Sequence, residues 1–318
     1  MTKKISREAF RKKLKVVCSN CSESTVTTYL HNIFRLYRLL DETAESLPST
    51  SSWLKQKKLL KKHDSQKLSA RRVLSLAAIK ANQAYNGKKS ESDEWYIRMK
   101  KTMEEYETKR DERKKTAREE ERWPKQGYDA LKTAADKLKK EMKTIIENTK
   151  TLSDLYKLQR YVVLKLYSEH ALRLDWADVK LMKPPKDQSE KWNYLVKDRR
   201  RGWILTLRKY KTEKFMGQQE LKIAKPAALA LNMFVAKVKD LTDHGFLLST
   251  KAGKKLSRTG LSLFLSRLTE KYMGKRLSAQ IIRVLKATKY RAQTEKSAEI
   301  AKEMLHGNKQ HLQYSKKD

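Results

Sequence analysis

The chain has 318 residues, of which 74 are Lys or Arg and 37 are Asp or Glu, a formal charge of +37. A globular protein with that excess repels itself unless a polyanion sits against it, and nucleic acid is the obvious polyanion. No run of 18 apolar residues encodes a membrane span, MTKKISREAF lacks the apolar stretch of a secretory signal, and six Trp, fourteen Tyr and regular apolar spacing exclude a merely disordered basic tail.

The CxxC of Cys18 and Cys21 has no second pair, and His31 adds one ligand at most, short of the four a structural zinc site needs. The two cysteines therefore read as reduced and structural, and no metal or cofactor is expected. STVTTYLHNIFRLYRLLDE (24–42) opens on a Ser/Thr cap and repeats Val26, Leu30, Ile33, Phe34, Tyr37 and Leu40 at helical spacing. Pro48 breaks the next stretch, and a short helix restarts near Ser51 or Ser52. A third helix, rich in small residues, runs through SARRVLSLAAIKANQAY (69–85) to Asn86-Gly87.

From Ser90 to Arg122 nearly every residue is charged, with Trp95, Ile97, Met99, Met103 and Tyr106 as thin apolar points. This is either a helical arm between two bodies or a solvated helix held by i,i+4 pairs, and the readings are compatible. WPKQG (123–127) supplies a break. Helices follow at 128–148 and 152–169; then KWNYLVKD, GWILTLRKY and ELKI alternate as short strands. Helical periodicity returns at 226–241, 257–273, 278–293 and 297–305. No internal repeat is visible.

These elements predict a mainly α fold with a small β-sheet (α+β). Charge divides the chain similarly: residues 1–90 hold 20 basic and 6 acidic side chains, 91–122 hold 10 and 11, and 123–318 hold 44 and 20. The expected organisation is a helical DNA-binding domain at 1–90, a charged helical arm and linker at 91–127, and a second basic domain at 128–318.

The ordered series EHALRLDWADVKL, LRKYKTEKFMG, LSAQIIRVLKAT and EMLHGNKQHLQYSK in that second domain resembles the catalytic domain of the tyrosine recombinase (phage-integrase) family. It is most similar to the divergent branch of eukaryotic mobile elements and large DNA viruses. The resemblance covers roughly 128–318, and the helical first part resembles that family's core-binding domain, which together imply a C-shaped DNA clamp. It places the two catalytic arginines on Arg173 and Arg283, the β-hairpin lysine on Lys211, the late histidine on His306 and the nucleophile on Tyr314. Gln280 stands where the family usually has histidine, and a glutamine amide hydrogen-bonds phosphate but accepts no proton at neutral pH. The step from His306 to Tyr314 is eight residues against a common nine, with Gly307 where Ser is frequent.

The implied activity is a site-specific recombinase or integrase that cuts and rejoins double-stranded DNA through a 3′-phosphotyrosine. It needs no metal ion or ATP, acts as a homo-oligomer, four protomers on two duplexes, and works inside the cell, in the nucleus or wherever its target DNA resides. The residue types fit: an in-line hydroxyl attacks, cations neutralise the non-bridging oxygens, and an acid serves the leaving 5′-oxygen. A non-catalytic DNA-binding protein on a decayed scaffold, and a type IB topoisomerase or telomere resolvase, are the alternatives. Tyr272, Tyr290 and Trp176 read as packing residues, and His311 as a tail anchor or a solvent-facing residue. A chain end is mobile by default, so Tyr314 is expected on a segment that swings into line or is lent to a neighbour.

Overall fold

The computed structural model describes residues 3–87, 93–187, 192–305 and 308–317, with only the backbone of 294, 295, 308 and 309. It is mainly helical with a small sheet, an α+β protein, and divides into two units, 1–112 and 113–318.

In the first unit a short antiparallel pair, β1 (Lys4–Ser6) and β2 (Ser46–Pro48), flanks helices α1 (Arg7–Val17) and α2 (Glu23–Tyr37). The Ser6 and Ser22 hydroxyls cap these helices by accepting the N–H groups of Ala9 and Thr25. A 3₁₀ turn at Ser51–Lys55 leads into α3 (Lys57–Asp64), and α4 (Leu68–Asn86) ends at Gly87, whose φ of 71° costs a glycine nothing. Ala77, Ala78 and Ala81 let α4 approach its neighbours closely, and the core between them is Phe10, Leu14, Leu30, Ile33, Phe34 and Trp53.

Helix α5 (Glu94–Asp111) belongs to this unit, so the expected 91–127 arm is divided between the two units. Trp95 is the reason: its ring is buried edge-on against His63, with centroids 5.0 Å apart, and its indole N–H donates to the Leu54 carbonyl at 2.8 Å. Arg71 on α4 pairs with Glu105 at 2.9 Å, further along the same helix.

The second unit opens with α6 (Ala117–Arg122), α7 (Asp129–Glu141) and α8 (Lys143–Glu147) and is built round α9 (Leu152–Glu169). Tyr161, Val162, Val163, Leu164, Leu166 and Tyr167 are buried in succession, because α9 is covered on several sides. The sheet runs β3 (Val179–Lys180), β4 (Asn193–Asp198), β5 (Gly202–Leu207), then, past the short α10 (Glu213–Met216), β6 (Gln219–Lys222). β3 pairs parallel with β4 and the other two pairs are antiparallel. The β4–β5 turn is fixed by the Asp198 carboxylate accepting the N–H groups of Arg200 and Arg201, at 2.9 and 2.8 Å. Helices α11 (Lys225–Leu241), α12 (Arg258–Met273), α13 (Ala279–Lys289), α14 (Thr294–Glu303) and α15 (Asn308–Tyr314) complete the chain. Trp176 is buried, and Tyr272 and Tyr290 pack on the core as expected of packing residues.

If Trp95 anchors α5, Trp95→Ala should cost about 3–5 kcal/mol, the usual range for emptying a buried aromatic site. Denaturant unfolding should shift accordingly, and amide exchange over 94–111 should rise well above that of α4; unchanged exchange there would mean the helix stands free.

Candidate active site

Helix α13 carries two charged side chains three residues apart on an otherwise apolar, buried face: Arg283 and Lys286. The Arg283 side chain is sealed in, the residue being 1 % exposed, and its guanidinium donates to the Ala171 carbonyl at 3.2 Å and the Met304 carbonyl at 2.8 Å. Those carbonyls end the segments after α9 and α14, so one side chain ties both to α13. Burial first, then repulsion from nearby Arg173, push its pKa down to about 10, still high enough to keep the charge at neutral pH. Two arginines held together against their mutual repulsion make a site that gains from an anion.

Arg173 follows α9 and is half-buried, with its backbone carbonyl held by the Tyr167 hydroxyl at 2.7 Å. Buried Asp175 and Asp178 lie just beyond it. Arg258, at the start of α12, donates to Asp175 at 2.7 Å and to Asp178 at 2.5 Å, and Lys255 adds a 3.1 Å contact to Asp178. Burial raises the pKa of Asp175 in spite of Arg258, Arg173 and Arg283.

Tyr314 ends α15 with its ring facing Arg283, 5.6 Å from ring centroid to guanidinium carbon, and its hydroxyl lies 3.3 Å from Oε1 of Gln280. Burial raises the phenol pKa, but Gln280 and the charges of Arg283 and Arg173 outweigh it, so the net shift is downward.

The structure thus brings together Arg173, Gln280, Arg283 and Tyr314. Lys211 is exposed on the β5–β6 connection, whose next residue Thr212 donates to the Leu305 carbonyl at 3.4 Å. His306 lies outside the described residues. The tail differs from the mobile end expected of a terminus: the segment carrying Tyr314 is a helix against α13, and Leu305 before it has a φ of 57°, a strained conformation for a bulky residue.

Three further groups position the surroundings of the site, and the first two have no local sequence signal. Buried Asn193 uses all its hydrogen-bonding capacity: its amide donates to the Asp175 and Lys209 carbonyls at 3.1 and 3.2 Å, and its oxygen accepts from Arg208 and Lys209 N–H at 3.1 and 2.9 Å. It fixes the strand leading to Lys211 against the turn that follows Arg173. Glu303, at the end of α14, is gripped by Lys286 at 2.8 Å and by His170 at 3.3 Å. Since Nε2 of His170 accepts the Ala224 N–H at 2.9 Å, Nδ1 carries the proton it gives to Glu303. Burial raises the Glu303 pKa, but His170 and Lys286 bring it below the usual carboxylate value.

The third is His311. It is 2 % exposed, and neither ring nitrogen has a hydrogen-bond partner among the described residues. Its buried position agrees with the tail-anchor reading and not with the solvent-facing one. Among the described residues no cluster of His, Cys, Asp or Glu is placed to hold a metal ion, and no helix is long and apolar enough to cross a membrane. Burial and a hydrogen bond with Cys21 push the Cys18 thiol up to about 11.

The chain matches no protein-family model and no curated protein sequence. Among solved structures it is similar to the XerA recombinase, at 10 % identity over 98 % of this chain and 94 % of that one, with a TM-score of 0.43. It is also similar to the XerH site-specific recombinase bound to its difH substrate in a pre-cleavage complex, at 13 % identity over 97 % and 91 %, again with a TM-score of 0.43. At that level of likeness the functional argument rests on the chain's own residues.

Burial and then the charge of Arg283 lower the His311 pKa below its ordinary 6.5. Above 6.5 the ring is neutral folded or unfolded and adds no pH dependence; as pH falls through 6.5 the unfolded chain takes the proton first, and the folded tail loses stability. Exchange of the 311–317 amides should therefore speed up relative to α9 between pH 7.5 and 5.5, and His311→Phe should flatten that dependence. An unchanged pH profile in the variant would assign it to another group.

Proposed function

We propose that the protein is a tyrosine-type DNA strand transferase, a site-specific recombinase or integrase that cuts and rejoins double-stranded DNA through a 3′-phosphotyrosine. The observation that carries this reading is the convergence of Tyr314, with its lowered phenol pKa, on the paired guanidinium groups of Arg283 and Arg173. In this mechanism the Tyr314 oxygen attacks phosphorus in line, the P–O5′ bond breaks, and the phosphate ends on the tyrosine and the DNA 3′ end. The arginines hold the non-bridging oxygens as charge builds up, which a fixed cationic pair does without reorganisation. Gln280 steers the phenol and donates to phosphate but serves as no base. Lys211, on its exposed connection, closes on the bound duplex and protonates the leaving 5′-oxygen; His306, placed by the sequence resemblance, takes the proton that the Tyr314 phenol gives up.

A second 5′-hydroxyl reverses the step, so exchange between duplexes conserves the ester energy and needs neither ATP nor a metal ion. Both units carry excess positive charge and close on the duplex as a clamp, and a homotetramer on two duplexes supplies the two cleavages that exchange requires. The origin of this chain in a mobile element or a large virus is part of the same reading and rests on the sequence resemblance.

If about a dozen phosphates are neutralised, log K should fall with log[salt] with a slope of about −10, from ~0.9 counterion per contact; a slope near ~−3 would leave most of the charge out of the interface. On nicked duplexes carrying candidate element ends, a denaturing gel should show a protein–DNA adduct that Tyr314→Phe abolishes without changing affinity. Arg173→Lys, which keeps charge but loses the two-pronged geometry, should slow adduct formation at least ~100-fold. Arg283 is the poorer probe, because its loss also unties Ala171 and Met304. Binding without any adduct would make the protein a DNA-binding scaffold; an adduct on Tyr272 or Tyr290 would remove this site.

A further inference from the structure

The residues after Tyr314 are not loose. The Lys316 N–H donates to the Thr288 hydroxyl at 2.9 Å, Arg291 donates to the Lys316 carbonyl, and Ser315 is buried. That is one wall, supplied by α13 and the residues just past it. The opposite wall is the start of this unit, directly after Glu112, where the first unit ends. The Arg113 carbonyl accepts the Lys317 N–H at 3.1 Å and its guanidinium reaches the Ser315 hydroxyl at 3.4 Å. The Lys114 carbonyl accepts from Nζ of Lys316 at 3.3 Å, and that ammonium pairs with Glu119 at 3.0 Å.

Two features separate this from an ordinary surface contact. The Lys316 and Glu119 side chains are 12 % and 17 % exposed, whereas a surface pair such as Lys15–Glu23 is 47 % and 65 % exposed. A shielded pair is screened little by salt and keeps more of its Coulomb attraction. Arg113 also holds a φ of 55°, a backbone conformation seldom adopted by a non-glycine residue, at the position whose carbonyl receives the tail. Glu119 is fixed in turn, as half of the Thr116–Glu119 capping box that starts α6.

We infer that the first residues of the second unit, 113–119, are the seat of the nucleophile, with Glu119 and Arg113 as positioning residues that set Tyr314 through Lys316, Ser315 and Lys317. Lys316 is only two residues beyond the tyrosine, so a shift of about 1 Å in this seat reaches the phenol almost undiminished, enough to cost on the order of 100-fold in an in-line reaction. This consequence rests on the proposed strand-transfer reading; the seat itself does not.

The test is a double-mutant cycle in the full-length chain. Glu119→Gln keeps the capping hydrogen bonds and removes the charge, Lys316→Gln removes the other, and the third variant combines them. Two quantities are read: amide exchange of 311–317, which needs no catalysis, and the rate of adduct formation on nicked duplex at matched DNA affinity. Each single change should speed tail exchange about tenfold and slow the adduct about tenfold or more, and the double variant should be no worse than either single, because one interaction is lost once. Effects that multiply in the double variant, or tail exchange that stays at the wild-type rate in both singles, overturn the inference. A wild-type chain that forms no adduct removes the proposed reaction, and the exchange cycle then decides the seat alone.

Discussion

A guanidinium shut away from water is among the most expensive groups a fold can hold, and much of the second unit is arranged round one. Taking Arg283 out of solvent costs several kcal/mol before any compensation. The compensation is specific: two backbone carbonyls accept its N–H groups, Asp175 lies close enough to attract it, and the Tyr314 ring offers its face. Each partner comes from a different part of the chain, so the charge is tolerated only when the ends of α9, α14 and α15 are all in place. Removing any of them leaves a buried cation short of partners. The site is therefore coupled to the fold, and local disorder in it is expensive.

Lys286 repeats this logic one turn along the same helix. Its ammonium is satisfied by the Glu169 carbonyl and both oxygens of Glu303, and His170 completes the grip on that carboxylate. Together the two cations of α13 lock the C-terminal ends of α9 and α14. Leu305, strained at positive φ, follows immediately, and strain of order 1–3 kcal/mol persists only where the surroundings over-determine it. On the other flank Asn193 ties the β-sheet to the turn after Arg173. The result is a rigid frame round Arg173 and Arg283, while Lys211 is exposed on the β5–β6 connection.

Much of this could be read from sequence, for a plain reason. Helices α2, α4, α9, α11, α12 and α13 bury one or more continuous faces, and a buried face writes its period into the residues. Of the six residues that the family resemblance singles out, the structure brings Arg173, Gln280, Arg283 and Tyr314 together. Harder to see was anything whose partner is distant in the chain: Asn193 with Lys209 and Asp175, Glu303 with His170, Glu119 with Lys316. A polar residue in such a pair looks like any other polar residue until the fold closes. Helix α5 was legible as a helix, but its place in the first unit was not, since one tryptophan supplies an anchor that a charged stretch otherwise conceals. Helix α15 is short, and a helix of seven residues has no stability without the surface it lies on.

A segment this short depends on the surface that holds it. Ordering each residue of a free tail costs roughly 1–2 kcal/mol of backbone entropy, so α15 and the residues after it need several independent anchors to stay put. They have them: buried His311 and Ser315, the Thr288 and Arg291 contacts, and the shielded Lys316–Glu119 pair. The anchors lie on both sides of Tyr314, and all of them belong to the chain that supplies Arg173 and Arg283. Tyr314 is thus held facing Arg283 by contacts on both of its flanks.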